Sequence, residues 1–355
     1  KKKKKKKMNR GIIVLLFLFL YMPRLTAQAD YPPFRVMCWN VENLFDTHHD
    51  SLKNDYEFLP DALRHWNYQR YKKKLVNIAR VITAVGEWVP PVLVGLCEVE
   101  NDNVMRDLTR YSPLKEQGYR YVITHSPDER GIDVALLYQR DRFKLLSHHS
   151  IPTGTFRPQN RPTRDILHVC GLLATGDSLD VLVVHLPSRS GGAKVSEPYR
   201  MLVAGKIRSI ADSLLTTRLH PQLIIMGDFN DYPNNKSITQ TLGALAPPPH
   251  PAPLQLYHLL ASRAETEKYS FGSYKYQGEW GLLDHLIISG TLLDSSSPFH
   301  TDEKKANVAR LPFLLSNDEK YGGKQPFRTY SGIKYLGGYS DHLPIYTDFE
   351  IIRNN

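Results

Sequence analysis

Short apolar runs that stop at a polar or charged residue recur along this chain. At residues 224–226 the run Ile-Ile-Met meets Gly227 and is followed by Asp228, Phe229 and Asn230. Apolar runs of this length bounded by turn residues predict a strand covered on both faces, and Gly227 lets the backbone turn sharply where the strand ends. Side chains alternate along a strand, so Asp228 and Asn230 share a face while Phe229 enters the core. The same pair also suits an Asx turn closing a loop, and the pattern alone does not choose between the two.

The design repeats. A strand at 34–39 leads to Asn40 and Glu42, one at 92–97 ends at Glu98, one at 179–184 ends at His185, and one at 282–288 carries Asp284. Residues 119–124 and 133–138 read as a strand pair. A closing strand at 345–349 follows Ser340-Asp341-His342-Leu343-Pro344. Two stretches carry the helical period instead. Tyr71, Leu75, Ile78, Ala79, Ile82 and Val85 form one stripe, which predicts that Arg70, Lys72, Lys73 and Lys74 make a solvated face. The second stripe, within 197–215, is Met201, Leu202, Ile207, Ile210, Ala211 and Leu214. Strands alternating with two helices predict a layered α/β fold, and the spread of these segments predicts one domain over residues 30–355. Residues 295–339 form a long polar excursion whose structure the pattern does not specify.

Charge changes the picture once the first 29 residues are set apart. Lys1 to Lys7 precede Met8 and read as an artefact. Arg10, an apolar core at 12–21 and Ala27-Gln28-Ala29 then make a secretory signal with its cleavage site, so export to the periplasm or beyond the cell is expected. That core is too short to span a bilayer. Residues 1–29 hold nine of the 46 Lys and Arg and none of the 36 acids, leaving 46 − 9 = 37 bases against 36 acids. The apparent basic character disappears, and affinity for a polyanion has to come from a local patch. Cys38, Cys97 and Cys170 all lie in apolar runs and are odd in number, which predicts buried thiols.

The chemistry lies at the strand ends. A carboxylate directly after an apolar run needs a partner, and Glu98 with Asn40, joined by Glu42, offers the all-oxygen surroundings that Mg²⁺ or Mn²⁺ prefers; Ca²⁺ fits the same description. His185 closes a strand just before a Gly-rich segment carrying Arg189. Arg130 reads equally as an ion-pair partner of Asp128 or Asp133 and as a bidentate phosphate clamp. Tyr274, Tyr276 and Trp280 could stack on a base or sugar or pack at a rim.

In this order and with these residues, the segments at Asn40, Glu98, His185, Gly227-Asp228-Phe229-Asn230, Asp284-His285 and Ser340-Asp341-His342-Leu343-Pro344 resemble the endonuclease/exonuclease/phosphatase superfamily, over residues 34–349. That superfamily includes deoxyribonuclease-like nucleases, abasic-site endonucleases, bacterial sphingomyelinases and inositol polyphosphate phosphatases. The resemblance implies a four-layer αββα sandwich with two packed mixed β-sheets. It also implies that Asp228 orients or deprotonates a water, Asn230 holds the phosphate, His342 pairs with Asp284, His185 contacts phosphate or leaving group, and Asp341 lies near the metal. Cys97 stands where superfamily members usually carry Gln. The expected activity is a secreted, divalent-metal-dependent phosphodiesterase of nuclease type acting on nucleic acid. The alternatives are a phosphatase or phospholipase C-like hydrolase, and a binding protein that has lost catalysis.

Overall fold

The structure is a computed structural model that describes residues 32–156 and 161–352. The leader with its cleavage site lies outside the described residues, as do residues 157–160 of the segment 157–165, which reads from the sequence as a loop with three arginines and two prolines. From Pro33 onward the described residues form one compact unit. In chain order its main elements are β1 (Phe34–Leu44), helix α1 (Tyr68–Gly86), β2 (Leu93–Val99), helix α2 (Asp102–Arg110), β3 (Arg120–Ile123), β4 (Asp133–Tyr138), β5 (Lys144–Ile151), β6 (Ile166–Leu172), β7 (Ser178–His185), helix α3 (Ala193–Thr217), β8 (Leu223–Asp228), β9 (Leu256–His258), β10 (Asp284–Ser289) and β11 (Ile345–Ile351).

The strands form two mixed sheets. One runs β11-β1-β2-β4-β3, with β1 and β2 parallel; the other runs β9-β10-β8-β7-β6-β5, with β7 and β8 parallel. Strand β8 explains the layering. Ile224 and Met226 point into the core between the sheets, beside Val36, Cys38, Val134 and Leu286, whereas Ile225 points outward and packs with Val203, Ala204 and Ile207 of α3. Both faces are covered, which is why the run is continuously apolar rather than alternating. On the far side of the first sheet, Leu75, Ile78 and Ile82 of α1 pack with Trp39, Val94 and Leu137. The result is the four-layer αββα sandwich. Each such fully buried aliphatic side chain stabilises the fold by roughly 1.5–3 kcal/mol.

Several expectations are revised. Lys74 is buried (2 % exposed), so it does not belong to a solvated face. In α3 the inward stripe is Val203, Ala204, Ile207, Ala211 and Leu215, while Leu202 is exposed. The stripe is shifted because Arg200 is itself buried, its Nε 2.7 Å from Asp231 Oδ2. Helix α2 was not anticipated, although Asn101 caps it through its side chain. Gly227 serves close approach rather than a turn. It remains in register between Val184 and His285, and a Cβ there would lie 1.8 Å from the Val184 carbonyl oxygen. The three cysteines are buried free thiols. Among the described residues no helix is long and apolar enough to cross a membrane.

Candidate active site

Register brings the first three side chains together. Asp228 ends β8 opposite His185 on β7 and opposite Asp284 on β10, so neighbouring strand ends form one row. The other sheet supplies Asn40 and Glu98 from adjacent strands, since Asn40 is paired with Cys97. Cys97 joins the sheets directly, its Sγ donating to Val184 O at 3.4 Å. The loop before β11 delivers His342. Trp39 Nε1 donates to His342 O at 2.9 Å, Ser340 Oγ donates to Asn40 O at 2.7 Å and accepts from His342 N at 3.0 Å, and Leu343 N donates to Ser273 O at 2.7 Å. Tyr274, beside Ser273, holds its ring 4.9 Å from the His342 ring.

Asp228 is the hub. Its Oδ1 accepts from Asn230 N at 2.8 Å, so the Asx turn is present. Its Oδ2 accepts from Asn40 Nδ2 at 3.0 Å and lies 3.6 Å from His185 Nε2 and 3.9 Å from His342 Nε2. The turn and the cleft-facing carboxylate coexist because one oxygen serves each. His342 Nδ1 and Asp284 Oδ2 are 2.7 Å apart, and Ser273 Oγ donates to the same oxygen at 2.5 Å. The Asn230 carboxamide donates to Leu186 O at 3.1 Å, and its φ of +50° is one of four left-handed values at the site, with Glu42, Asn43 and Glu98. Non-glycine residues in this region store strain of order 1 kcal/mol or more each, and such strain collects at functional sites.

Electrostatics separates the two histidines. Burial pushes His342 down, but the charges of Asp284, Asp228 and Asp341 overcome it and raise the imidazole well above its ordinary value. Burial and the positive charges of Arg164, Arg130 and His342 hold His185 well below its own. At neutral pH His342 is therefore cationic and His185 neutral. Burial raises Asp228 to about 7, with Asp284 adding to the rise and His342, Asn40 and Asn230 opposing it. A carboxyl group poised there can exchange a proton at physiological pH.

Of the expected metal neighbours, Glu98 is half-buried, and its Oε2 accepts from Asn43 N at 3.0 Å. Asn40 Oδ1 accepts from Glu42 N at 2.9 Å. The Glu42 carboxylate accepts from Thr329 N at 2.6 Å and Tyr330 N at 3.4 Å and lies 3.6 Å from Arg328 Nε, and the left-handed backbone at Glu42 and Asn43 departs from a regular strand. Asp341 pairs with Arg328 at 2.9 Å. Asp228, Asp284 and His342 also place ligand atoms within 4.8 Å of one another. His342 and Asp284 are hydrogen-bonded to each other, Asp284 also to Ser273, and Asp228 to Asn40, so the trio suits proton exchange. The oxygen set of Glu98, Asn40 and Asp341 fits a hard divalent cation better.

The two predicted arginines differ. The Arg130 guanidinium donates to Asn43 Oδ1 at 2.5 Å and makes no ion pair with Asp128 or Asp133 among the described residues, while its backbone N–H donates to Asp128 Oδ1 at 3.0 Å. Arg189 lies against the Tyr232 ring and donates to Asn230 O at 3.0 Å and Asn235 Oδ1 at 3.2 Å, which fixes the loop behind Asn230. Tyr274 lies in the site and Tyr276 is exposed, while Trp280 has one face covered by the Arg310 guanidinium at 4.3 Å. Sequence reasoning missed Ser273, Lys74, Arg164 and Arg328. Arg164 donates to Leu186 O at 2.6 Å and pairs with Asp128 at 3.3 Å; the arginine-bearing loop was the only signal for any of the four.

A family model described as the endonuclease/exonuclease/phosphatase family matches residues 35–351. No curated protein matches the sequence. Among solved structures, the chain is similar to the human Nocturnin catalytic domain with bound sulfate (17 % identity, TM-score 0.52, covering 90 % of this chain and 95 % of that one). It is also similar to a Bacteroides thetaiotaomicron mannosyl-6-phosphatase (15 %, 0.54, 89 % and 99 %) and to Danio rerio TDP2 humanized by 14 mutations (14 %, 0.54, 90 % and 100 %). At these identities the likeness concerns the fold.

Proposed function

Because this chain belongs to the endonuclease/exonuclease/phosphatase family of phosphoester hydrolases, we propose that it is a divalent-metal-dependent phosphodiesterase of nuclease type. The observation that carries this reading is the buried array Asp284–His342–Asp228–His185, in which a cationic and a neutral histidine flank a carboxyl group poised near neutrality. Groups whose surroundings drive their proton affinities apart reveal the division of acid and base roles. In this reading Asp228 positions a water and takes its proton, and His342, held in its charged form by Asp284, stabilises the negative charge that grows on the phosphoryl oxygens. Asn230 and the neutral His185 bind the phosphate, with Arg130 at the rim. Arg189 serves as a positioning residue for Asn230.

Divalent-metal dependence is typical of the family, and Glu98, Asn40 and Asp341 would hold the ion, with Mg²⁺ the first candidate. Bound there, it would supply Lewis-acid polarisation of a phosphoryl oxygen. Purified protein incubated with plasmid and single-stranded DNA, with and without EDTA, tests the nuclease reading; absence of metal-dependent cleavage of both substrates refutes it. The balance of 37 bases and 36 acids favours, as a second reading, a small phosphate ester such as a sugar, inositol or lipid head-group phosphate. Comparing turnover of bis-p-nitrophenyl phosphate with that of the monoester separates the two. Export rests on the leader pattern alone, and cell fractionation tests it.

A further inference from the structure

Helix α1 carries five cations, Arg70, Lys72, Lys73, Lys74 and Arg80, and no acid. Four of them lie in its first two turns, where the positive end of the helix dipole disfavours cations, and no acid stands three or four residues away to offset them. Contacts account for three of the five. Lys74 is buried and donates to Thr329 Oγ1 at 2.6 Å and to Tyr339 O at 2.7 Å. Arg80 donates to the Tyr339 hydroxyl at 2.8 Å, and Arg70 donates to His65 O at 2.9 Å with its guanidinium 4.4 Å from the Tyr335 ring centre. Lys72 instead lines a recess of about 480 Å³ where α1 meets the end of α2, together with Arg110, Tyr111, Lys115 and Glu116. Its Nζ donates to Tyr111 O at 3.4 Å and lies 5.9 Å from the Tyr68 ring centre. Tyr68 and Tyr111 are each 63 % exposed, so two solvent-reaching rings neighbour the lysine. Glu116 pairs with Lys115 at 3.5 Å, which leaves Lys72 and Arg110 without an ion-pair partner among the described residues.

We infer that this recess on the outer helical layer is a second contact for single-stranded nucleic acid, separate from the strand-end cleft. Its role in substrate capture rests on the nuclease reading. Cations that meet backbone phosphates, set beside exposed aromatic rings on which bases stack, are the chemistry that holds a single strand without regard to sequence. A helix that breaks its own charge preferences is a local conflict of the kind that function explains. Arg110 closes α2, where the dipole favours a cation, so the anomaly lies in α1. An anionic bilayer would call for an aliphatic face, whereas the large apolar side chains that α1 exposes are Tyr68 and Val76. Reach is adequate. Helix α2 starts from Asn101, three residues past Glu98, and at about 1.5 Å per residue it sets Arg110 about 13 Å further on, a span of about four stacked nucleotides.

The test is binding of fluorescein-labelled oligothymidylate to the full protein, read by anisotropy in EDTA so that no cleavage intervenes. Lys72→Gln with Arg110→Gln removes two phosphate contacts. The slope of log affinity against log salt should flatten by about 1.4, at about 0.7 per contact, which corresponds to about 25-fold weaker binding at 0.1 M salt. Tyr111→Ala should weaken binding about fivefold or more while leaving that slope unchanged. Both variants should turn over bis-p-nitrophenyl phosphate with the wild-type kcat, which shows the cleft intact. Wild type that does not bind the strand, or a double variant of unchanged affinity and slope, overturns the inference. A matched duplex that loses as much affinity as the strand, with a silent Tyr111→Ala, overturns the assignment to single strands. Phosphatidylglycerol vesicles released by the double variant while oligothymidylate stays bound overturn it in favour of a membrane. The nuclease reading fails separately: a strand held at the recess but left uncut with Mg²⁺ refutes that reading and upholds the contact, whereas cleavage by wild type with an indifferent double variant does the reverse.

Discussion

Replacing Asp284 with Asn removes a charge while preserving shape, and so isolates what the His342–Asp284 contact does. The Asn oxygen can still accept from His342 Nδ1, now without a formal negative charge in a place with no solvent exposure. A hydrogen bond to a charged partner contributes about 1.5–3 kcal/mol, and a tenfold change corresponds to about 1.4 kcal/mol. The His342 imidazole should therefore lose about 1–2 pH units of proton affinity, and kcat/KM should fall about 10–100-fold. The assay is the pH profile of kcat/KM for bis-p-nitrophenyl phosphate at saturating divalent metal. In wild type the rate should rise as Asp228 ionises through about 7 and fall where His342 gives up its proton, well above its ordinary value. In the variant the alkaline limb should move down by about 1–2 units. The acid limb should also move down, because Asp284 helps to raise Asp228. An alkaline limb that stays in place, with an undiminished maximum, refutes the assignment of His342 as a cation maintained by Asp284.

Asp228→Asn should lower kcat about 10²–10⁴-fold, the range for losing a general base, while circular dichroism shows the folded spectrum; near-wild-type turnover removes Asp228 from the chemistry. Glu100 is raised to about 8 by burial and by Asp46. Its folded proton affinity thus exceeds the unfolded one, so its contribution weakens stability as pH rises from about 4 to about 8. Glu100→Gln keeps an acceptor for Asp46 N and should raise Tm by several degrees at pH 8.5 but not at pH 4, as read by thermal denaturation. Gly227→Ala forces a methyl against the Val184 carbonyl and should destabilise by about 4 kcal/mol or more, seen as insoluble protein or a large drop in Tm; a soluble variant of unchanged Tm contradicts the close packing of β7 on β8.

Strand ends were legible because a buried strand must be apolar on both faces, so a polar residue at its end stands out. That logic found Glu98, His185 and Asp228 from local pattern alone. It failed where partners come from far along the chain. Nothing near Lys74 announces that Thr329 and Tyr339 cover it, and helical periodicity identifies an apolar stripe without saying which lysine a distant loop will bury. The Glu42 contacts were hidden for a related reason: period-two reasoning assumes a regular strand, and at the left-handed residues Glu42 and Asn43 it does not announce that Thr329 N donates to the Glu42 carboxylate. The stripe of α3 is out of phase with the apolar pattern because Arg200, neutralised by Asp231, takes an inward position that apolar periodicity does not register. Helix α2 did carry a signal, an Asn-Asp start at residues 101–102.

The Cys97 thiol donating to the Val184 carbonyl, with Met226 seated on Gly95 nearby, shows that the cleft is a seam. Asn40, Glu98 and His342 belong to one slab of the sandwich; His185, Asp228 and Asp284 belong to the other. A slip of an ångström between the slabs leaves every strand intact yet pulls the two half-sets out of alignment. Turnover should consequently vanish at lower denaturant concentration than the far-ultraviolet signal, which makes catalysis the more sensitive gauge of how the slabs sit together.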